Sequence, residues 1–438
     1  MEGQAGLIFA LVIAALAIIG MFICILIFPK LKIGRFRIDT FWLPILIGAI
    51  ILLIVIKDAS STFFAQVTEN SSLNPLKILI LFVSISFLSV TLDDAGFFTF
   101  IASLFVSKYH NSQKKLFIVL YILISVLTIF TSNDIVILTF TPFIVYLSKK
   151  GHINPIPYLV MEFAAANTYS MMLEIGNPTN VYLSGVYAIP FLKYFVKMVI
   201  PSLLCGIGSL VTLLILFRKP LKEEIQVFEL NVSPLRDKKL ALVSGIILAL
   251  ATITLAISNY INLEMYLIAA GFAIILLIYL IIYAIVKRNS HILLSPLKRI
   301  PYNLIPFVLS MFAIIISINQ FGIFEEIGNR IANANEAGSS IIYLISSFIS
   351  CNILNNIPMT LAFSKILGTT ASTTSVYAVI IGSNLGALLT PVGALAGIMW
   401  LRILKETDIK YSFIDFIKNG IIVSIVTIGL AIISILII

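Results

Sequence analysis

Four short stretches of this sequence gather side chains able to hold an ion or a small polar solute. They are Thr131, Ser132, Asn133 and Asp134; Glu174, Gly176, Asn177, Pro178, Thr179 and Asn180; Asn355, Asn356 and Pro358; and Ser383, Asn384, Thr390, Pro391 and Gly393. Each lies inside an otherwise apolar run. Proline removes a backbone donor and glycine permits dihedrals closed to other residues, so such clusters break a helix. A broken helix leaves carbonyls that attract cations and amides that attract anions, and Asn, Ser and Thr add ligands of both kinds. Asn167 stands nine residues before Gly176, as Asn384 stands nine before Gly393.

Asp134 and Glu174 are the acids of these clusters, and no Lys or Arg accompanies them. An unpaired carboxylate deep in a bilayer costs about 2.5–3.5 kcal/mol on insertion scales. The two are therefore expected to bind Na+ or to carry a proton, with Ser132, Asn133 and Asp134 as one candidate Na+ site and Asn355 and Asn356 as another. For Asp93, Asp94 and Glu162, a place near the membrane interface or the cytoplasmic entry fits as well as a role at depth. No enzyme chemistry is legible. His110, His152 and His291 lie in or beside basic loops, and Cys24, Cys205 and Cys351 stand singly in apolar runs without metal-ligand spacing. Cys351 adjoins a polar cluster, but one thiol is a poor chelator and reads as a small apolar residue. The filter loops and charge rings of a channel are absent too.

The elements that must carry these clusters follow from composition. Of 438 residues, 60% are hydrophobic and 11% charged, far from the roughly one-quarter charged residues of a soluble domain. Apolar runs near the ~20 residues of a membrane crossing recur throughout. Crossings are expected near 6–28, 40–56, 76–107, 156–188, 199–217, 240–257, 264–286, 302–328, 375–404 and 420–438. Residues 6–28 read as a retained helix, not a leader, since no basic segment precedes them and no small-residue cleavage site follows. The net charge of +9 sits at helix ends rather than in a nucleic-acid-binding patch.

Two apolar segments, 116–148 and 339–368, remain. The first is flanked by Lys114 and Lys115 on one side and Lys149 and Lys150 on the other, so both ends belong on one side of the membrane. Each is expected to be a re-entrant hairpin of two half-helices turning at its polar cluster. All Lys and Arg except Lys57, Lys77, Lys193, Lys197, Arg330 and Lys365 then face the cytoplasm, which puts both termini outside a multi-pass cell-membrane protein.

The basic loop 218–239 divides the chain into 1–217, with hairpin 116–148, and 240–438, with hairpin 339–368. Each half holds five crossings. An odd number forces the second copy to insert upside down. Asp93 to Phe98 (DDAGFF) echoes Asn319 to Phe324 (NQFGIF), and Ser132 with Asn133 echoes Asn355 with Asn356. The expected fold is an all-α integral membrane protein of two inverted repeats, each of five transmembrane helices and one re-entrant hairpin. That is the architecture of a secondary active transporter.

The motifs T-S-N-D followed by I-V-I-L-T-F-T-P (131–142), G-N-P-T-N (176–180), L-N-N-I-P (354–358) and G-S-N-L-G-A-L-L-T-P-V-G-A-L (382–395) resemble one family. It is the arsenite permease and Na+/H+ antiporter branch of the ion transporter superfamily, which also contains citrate and dicarboxylate carriers. The resemblance implies a homodimer in the lipid bilayer with a scaffold and a moving transport domain. It implies one half-site of Ser132, Asn133 and Asp134 with Gly176, Asn177 and Pro178. The other half-site would be Asn355, Asn356 and Pro358 with Asn384, Thr390, Pro391 and Gly393. Glu174 stands just before G-N-P, where the resemblance leads to the expectation of an uncharged residue. The transported solute is expected to be a small inorganic or organic ion. Arsenite or antimonite efflux is favoured, because the clusters hold acids and no bases; Na+-coupled citrate or dicarboxylate symport and Na+/H+ antiport are the alternatives. No cofactor is expected beyond a coupling H+ or Na+.

Overall fold

The computed structural model describes residues 2–28, 30–33, 36–70, 74–109, 112–225, 233–258, 260–369 and 371–438. Arg35, His110 and the centre of the basic loop at 226–232 lie outside the described residues. The first half runs α1 (Gly3–Leu26), α2 (Trp42–Val55), α3 (Ala59–Thr68), α4 (Pro75–Asp94), α5 (Phe97–Tyr109), α6 (Gln113–Phe130), α7 (Asn133–Gly151), α8 (Ile156–Tyr169), α9 (Pro178–Val186) and α10 (Phe191–Leu216). The second half passes through the same order. It comprises α11 (Lys238–Ala256), α12 (Met265–Val286), α13 (His291–Arg299), α14 (Leu304–Asn319), α15 (Ile323–Ala332), α16 (Glu336–Leu354), α17 (Asn356–Leu367), α18 (Thr373–Gly386), α19 (Leu395–Glu406) and α20 (Phe413–Ile437).

Nine helical stretches among the described residues are long and apolar enough to cross a membrane. The expected crossings at 156–188 and 375–404 are not among them, because each is split into two short helices, α8 with α9 and α18 with α19; 40–56 qualifies only when α2 is joined to the bent α3, and α6 and α16, the first arms of the expected hairpins, are among the nine. Two other expected crossings need correction. The run 76–107 stops at Asp94 and restarts as α5, and 302–328 stops at Asn319 and restarts as α15. Gly96 (φ +86°) and Gly322 (φ +66°) sit at these breaks in the left-handed region that only glycine enters without strain. They are the glycines of the DDAGFF and NQFGIF echo. The short helices α3, bent 113° from α2, and α13 were not foreseen either.

The all-α expectation needs one amendment. Residues 30–39, KLKIGRFRID, alternate apolar and polar residues with period two, the strand signature. Residues 30–33 and 36–39 form an antiparallel ribbon of β1 (Lys30–Ile33) and β2 (Phe36–Asp39), with Lys30 paired to Asp39 and Ile33 to Phe36.

Both hairpins enter and leave by one end of the molecule. Tyr158, at the start of α8, donates its hydroxyl to the carbonyl (3.1 Å) and side-chain oxygen (3.2 Å) of Gln113, at the start of α6. The end of α7 is five residues from the start of α8, at most ~18 Å of chain. The second hairpin repeats the arrangement. Ser340 near the start of α16 lies 3.1 Å from Ser375 near the start of α18, and the Tyr343 hydroxyl reaches the Ile366 carbonyl at the end of α17 (3.5 Å).

Polar contacts sort the loops into two opposite faces. One face joins Lys30 with Glu406 (3.0 Å), Arg402 with Asp39 (2.7 Å), Lys149 with the Thr407 carbonyl (3.2 Å), and Arg299 with Asp93 and Asp94. Asp93 and Asp94 are therefore interfacial acids with a cation, not unpaired charges at depth. The other face joins Lys57 with Glu2, Lys77 with Glu264, and Tyr187 with the Gly368 carbonyl.

Packing separates two bodies. One core is built mainly from α5–α10 and α16–α20. Two smaller cores gather α1, α2 and α14, and α4, α11 and α12, and a third links α4, α11 and α12 to α9 and the start of α10. The helices α4 and α14 stand between them and are buried nearly all round, α14 with mainly apolar side chains and α4 with Ser84, Ser86, Ser89 and Thr91 among its buried residues.

This arrangement predicts a labelling pattern in a cysteine-free background. Lys114→Cys, Lys150→Cys and Lys405→Cys should react with an impermeant maleimide from one side, and Lys57→Cys and Glu264→Cys from the other. Labelling of positions 114 and 150 from opposite sides would contradict the hairpin.

Candidate functional site

The two interruptions share a backbone. In the first, α8 ends at Tyr169, Ser170 stays helical, Leu173 is extended (φ −117°, ψ 153°), Glu174–Gly176 makes one 3₁₀ turn, and Asn177 is extended (φ −150°, ψ 138°). In the second, Ala387 stays helical, Thr390 is extended (φ −137°, ψ 152°), Pro391–Gly393 makes the 3₁₀ turn, and Ala394 is extended (φ −143°, ψ 153°). The glycines do the same job in both. A Cβ on Gly176 would fall 2.2 Å from the Ser170 carbonyl oxygen, and one on Gly393 would fall 2.9 Å from the Ala387 Cα. Both glycines are thus required by close backbone approach. Thr390 donates its hydroxyl to Asn352 (2.7 Å), which fastens this break to the second hairpin.

The side chains around the breaks are not symmetric. Asn384 on α18 accepts hydrogen bonds from the Ser170 hydroxyl (2.9 Å) and the Asn177 amide (3.0 Å), and donates to the Asn180 side-chain oxygen (2.8 Å). Thr179 and Ser383 hydroxyls meet at 3.2 Å. Asn180 in turn donates to the carbonyls of Ser170 (2.8 Å) and Leu173 (3.2 Å), groups that the interrupted helix leaves open. The expected grouping of Asn384 with the second half-site is therefore incomplete: its side chain is spent on the first break. At the second break the equivalents of Ser170, Asn177, Thr179 and Asn180 are Ala387, Ala394, Ala396 and Gly397, which supply no partner for Asn167. Asn167 instead accepts from Asn133 of the first hairpin tip (3.2 Å).

At the tips, Thr131 ends α6 with its hydroxyl returned to the Leu127 carbonyl (2.7 Å). Ser132 caps α7, and its buried hydroxyl has no partner among the described residues. It faces a void of about 10 Å³ lined also by Ser86 of α4 and by Pro178, room for roughly one water. The Asn133 side-chain oxygen accepts from the Asp134 N–H (2.9 Å), while no hydrogen bond reaches the Asp134 carboxylate among the described residues. At the second tip Asn355 (φ 74°) donates to the Val392 carbonyl of the second break (2.9 Å). The Asn356 side-chain oxygen is buried without a partner, and Pro358 is buried in the first turn of α17. Open oxygens thus stand at both tips, the donor chemistry that suits a hard cation such as Na+.

Neither carboxylate oxygen of Glu174 has a partner among the described residues, and the Ser184 hydroxyl beside it is turned to the Val181 carbonyl (3.2 Å). Its remaining polar neighbours are Tyr194 and Tyr377, the latter with an unpartnered hydroxyl. Glu162 has no exposed surface. It is fully buried among α7, α8 and α19, because the side of α8 that carries it packs inward. Cys351 is enclosed too, its sulfur 3.2 Å from the Phe348 carbonyl and tight against Gly386. Sequence reasoning missed Ser170, Tyr194 and Tyr377. Only Ser170 carried a signal, its place between Asn167 and G-N-P.

A vestibule of about 980 Å³ opens on the basic face between the two bodies, lined by residues of α1, α13, α14 and α19. Lys298, Lys405 and Lys410 line it with the Arg402–Asp39 ion pair. Its inner wall reaches Leu138, one helical turn from Asp134 on the same face of α7. Pro142 has no N–H to bond the Leu138 carbonyl.

Asn384→Ala would remove three bonds between the halves, at ~0.6 kcal/mol each in membrane proteins, for a loss of about 2 kcal/mol. It should lower the melting temperature in detergent together with transport. Asn133→Ala and Asn356→Ala should abolish transport with melting temperatures near that of the unmodified protein. Equal destabilisation by all three would assign the tips a purely structural role.

Comparison with known proteins agrees with this geometry. The sequence profile described as citrate transporter (CitMHS) matches residues 40–376. The arsenical pump membrane protein of Escherichia coli K12 is 26% identical over 360 residues, covering 78% of this chain and 82% of that protein. The putative arsenical pump membrane protein of Bacillus subtilis 168 is 25% identical over 366 residues, with 77% and 81% covered. The crystal structure of the Alcanivorax borkumensis YdaH transporter superposes with a TM-score of 0.57 over 98% of each chain at 10% identity, a likeness of fold. With its repeated order of helices, paired hairpins and paired interruptions, the chain is a membrane transporter and belongs to the citrate transporter (CitMHS) family.

Proposed function

We propose that this protein is a secondary active exporter of a trivalent metalloid oxyacid, arsenous or antimonous acid, driven by H+ or Na+ held at Asp134 and Glu174. The observation that carries this reading is the make-up of the centre. It is built of Asn, Ser and Thr side chains and two acids whose carboxylates meet no hydrogen-bond partner among the described residues, and none of the described Lys or Arg side chains joins it. A compact hydroxylated solute with little or no charge can exchange hydrogen bonds with amides and hydroxyls. A multivalent carboxylate would need compensating cations there. The relatives named as arsenical pump membrane proteins support the same choice.

A second reading, Na+-coupled symport of citrate or a dicarboxylate, is favoured by the family description and by the lysines of the vestibule. In that case Na+ at the open oxygens of Ser132, Asp134 and Asn356 would offset the anion's charge. Na+/H+ antiport needs only these same ion sites. The concentration of Lys and Arg on the vestibule face supports placing that face in the cytoplasm and both termini outside the cell membrane. A homodimer is the working unit implied by the family resemblance.

Reconstituted protein loaded with antimonite separates these readings. Export should be saturable and should show counterflow, with citrate competing weakly. If citrate is the accumulated solute and antimonite is not moved, the second reading replaces the first. Under a one-unit pH gradient each coupled proton supports about tenfold accumulation, equivalent to ~1.4 kcal/mol. Asp134→Asn with Glu174→Gln should keep counterflow and lose this gradient-driven accumulation. Unchanged accumulation in the double variant would remove both acids from coupling.

A further inference from the structure

Away from the polar clusters, one more acid is buried with no charge to balance it. Glu162 of α8 has no exposed surface. One of its oxygens lies 2.9 Å from the Thr141 hydroxyl of α7, and the other is unpartnered among the described residues. Its remaining polar neighbour is the Trp400 indole N–H of α19, which is buried and equally unpartnered.

Hydrogen-bond accounting, together with the lack of a nearby cation, favours the protonated state of this carboxyl. Thr141 has one proton and two acceptors in reach, the Ile137 carbonyl at 2.6 Å and Glu162 at 2.9 Å. When Thr141 donates over the shorter contact, its oxygen can take part with Glu162 only as an acceptor, and a carboxyl donates only when protonated. The protonated acid therefore satisfies Thr141 fully and leaves an oxygen for Trp400. An ionised acid would be buried without a cation. Of the titratable groups on the surrounding elements, Tyr121 of α6 is engaged on the Gly206 carbonyl, Cys205 of α10 on the Thr427 carbonyl, Arg402 of α19 on Asp39, Glu406 of α19 on Lys30 and Arg402, and Asp415 of α20 on Ser412, while Tyr377 of α18 neighbours Glu174. Lys149, Lys150 and Lys405, on α7 and α19, are exposed.

Packing does not demand an acid at this place. Glu162 stands five residues before Asn167, and the residue five before Asn384 is Val379, fully buried in the corresponding position. An acid that the architecture elsewhere replaces with valine is present for its chemistry.

We propose that Glu162 is a proton-binding site of the transport cycle, distinct from Asp134 and Glu174, which exchanges its proton with the basic-face vestibule past Trp400. A void of about 20 Å³ lies against Trp400, bounded by Phe163, Phe416 and Tyr411, and Tyr411 also lines the vestibule. On release the proton passes from the carboxyl to water from the vestibule. The carboxylate left behind takes the Trp400 N–H and the Thr141 O–H, turned away from Ile137, as its two donors. The inference rests on the chain being a transporter, and not on which solute it carries or on the role of Asp134 and Glu174.

Infrared difference spectroscopy on the reconstituted full-length protein tests it. The unmodified protein should show a deuterium-sensitive carbonyl band of a protonated carboxylic acid that fades as the pH is raised. Glu162→Gln, which keeps size and hydrogen bonding, should lack that band, and Asp134→Asn with Glu174→Gln should retain it. Antimonite counterflow by Glu162→Gln should continue with its pH dependence flattened. The proposal is overturned if Glu162→Gln loses no band, or if the lost band is insensitive to pH and the counterflow pH profile is unchanged. The spectral arm decides the matter even if antimonite is not a substrate.

Discussion

A peptide group in hydrocarbon has no water to bond, so every carbonyl and amide freed by a broken helix must be met by the protein or by a wet cavity. This structure meets that demand with side-chain amides. Asn180 covers the Ser170 and Leu173 carbonyls, and Asn355 covers that of Val392. Asn384 then locks Asn180 and Asn177 from the opposite half. Breaks that would be defects in a lone helix become a connected centre at which the two halves are joined. The hairpin tips are held against that centre by Asn133 on Asn167 and Asn352 on Thr390.

The two halves share backbone and diverge in side chains, which separates architecture from function. Gly176 and Gly393, Gly96 and Gly322, and the paired 3₁₀ turns serve the backbone in both halves, because each glycine fixes a close approach or a left-handed dihedral. The acids are not. Asp134, Glu162 and Glu174 correspond to Ile357, Val379 and Pro391. All three lie in the first half, so the second half serves as an internal control in which the same packing is achieved without them.

The hairpins and interruptions were legible because they break strong local rules: lysines at both ends of one apolar run, and proline with asparagine inside others. The breaks at Gly96 and Gly322 were not read, since one glycine in an apolar run is compatible with a continuous helix. Yet 32 residues at 1.5 Å exceed a ~30 Å core, so length alone carried a warning. The ribbon at 30–39 was hidden by its charges, which suggested only a cytoplasmic loop. The partners of Asn384 and the enclosure of Glu162 depend on how α7, α8, α18 and α19 pack, and no spacing along the chain encodes that.

The central claim is that the solute binds where the hairpin tips meet the interrupted helices. The most direct measurement is the location of trivalent antimony by its anomalous scattering in crystals of the protein soaked with antimonite. The account predicts one peak within hydrogen-bonding reach of the Asn133 or Asn356 side chain, lost in Asn133→Ala and Asn356→Ala. Antimony confined to the vestibule, or bound to the Cys351 sulfur with the tips empty, would contradict it.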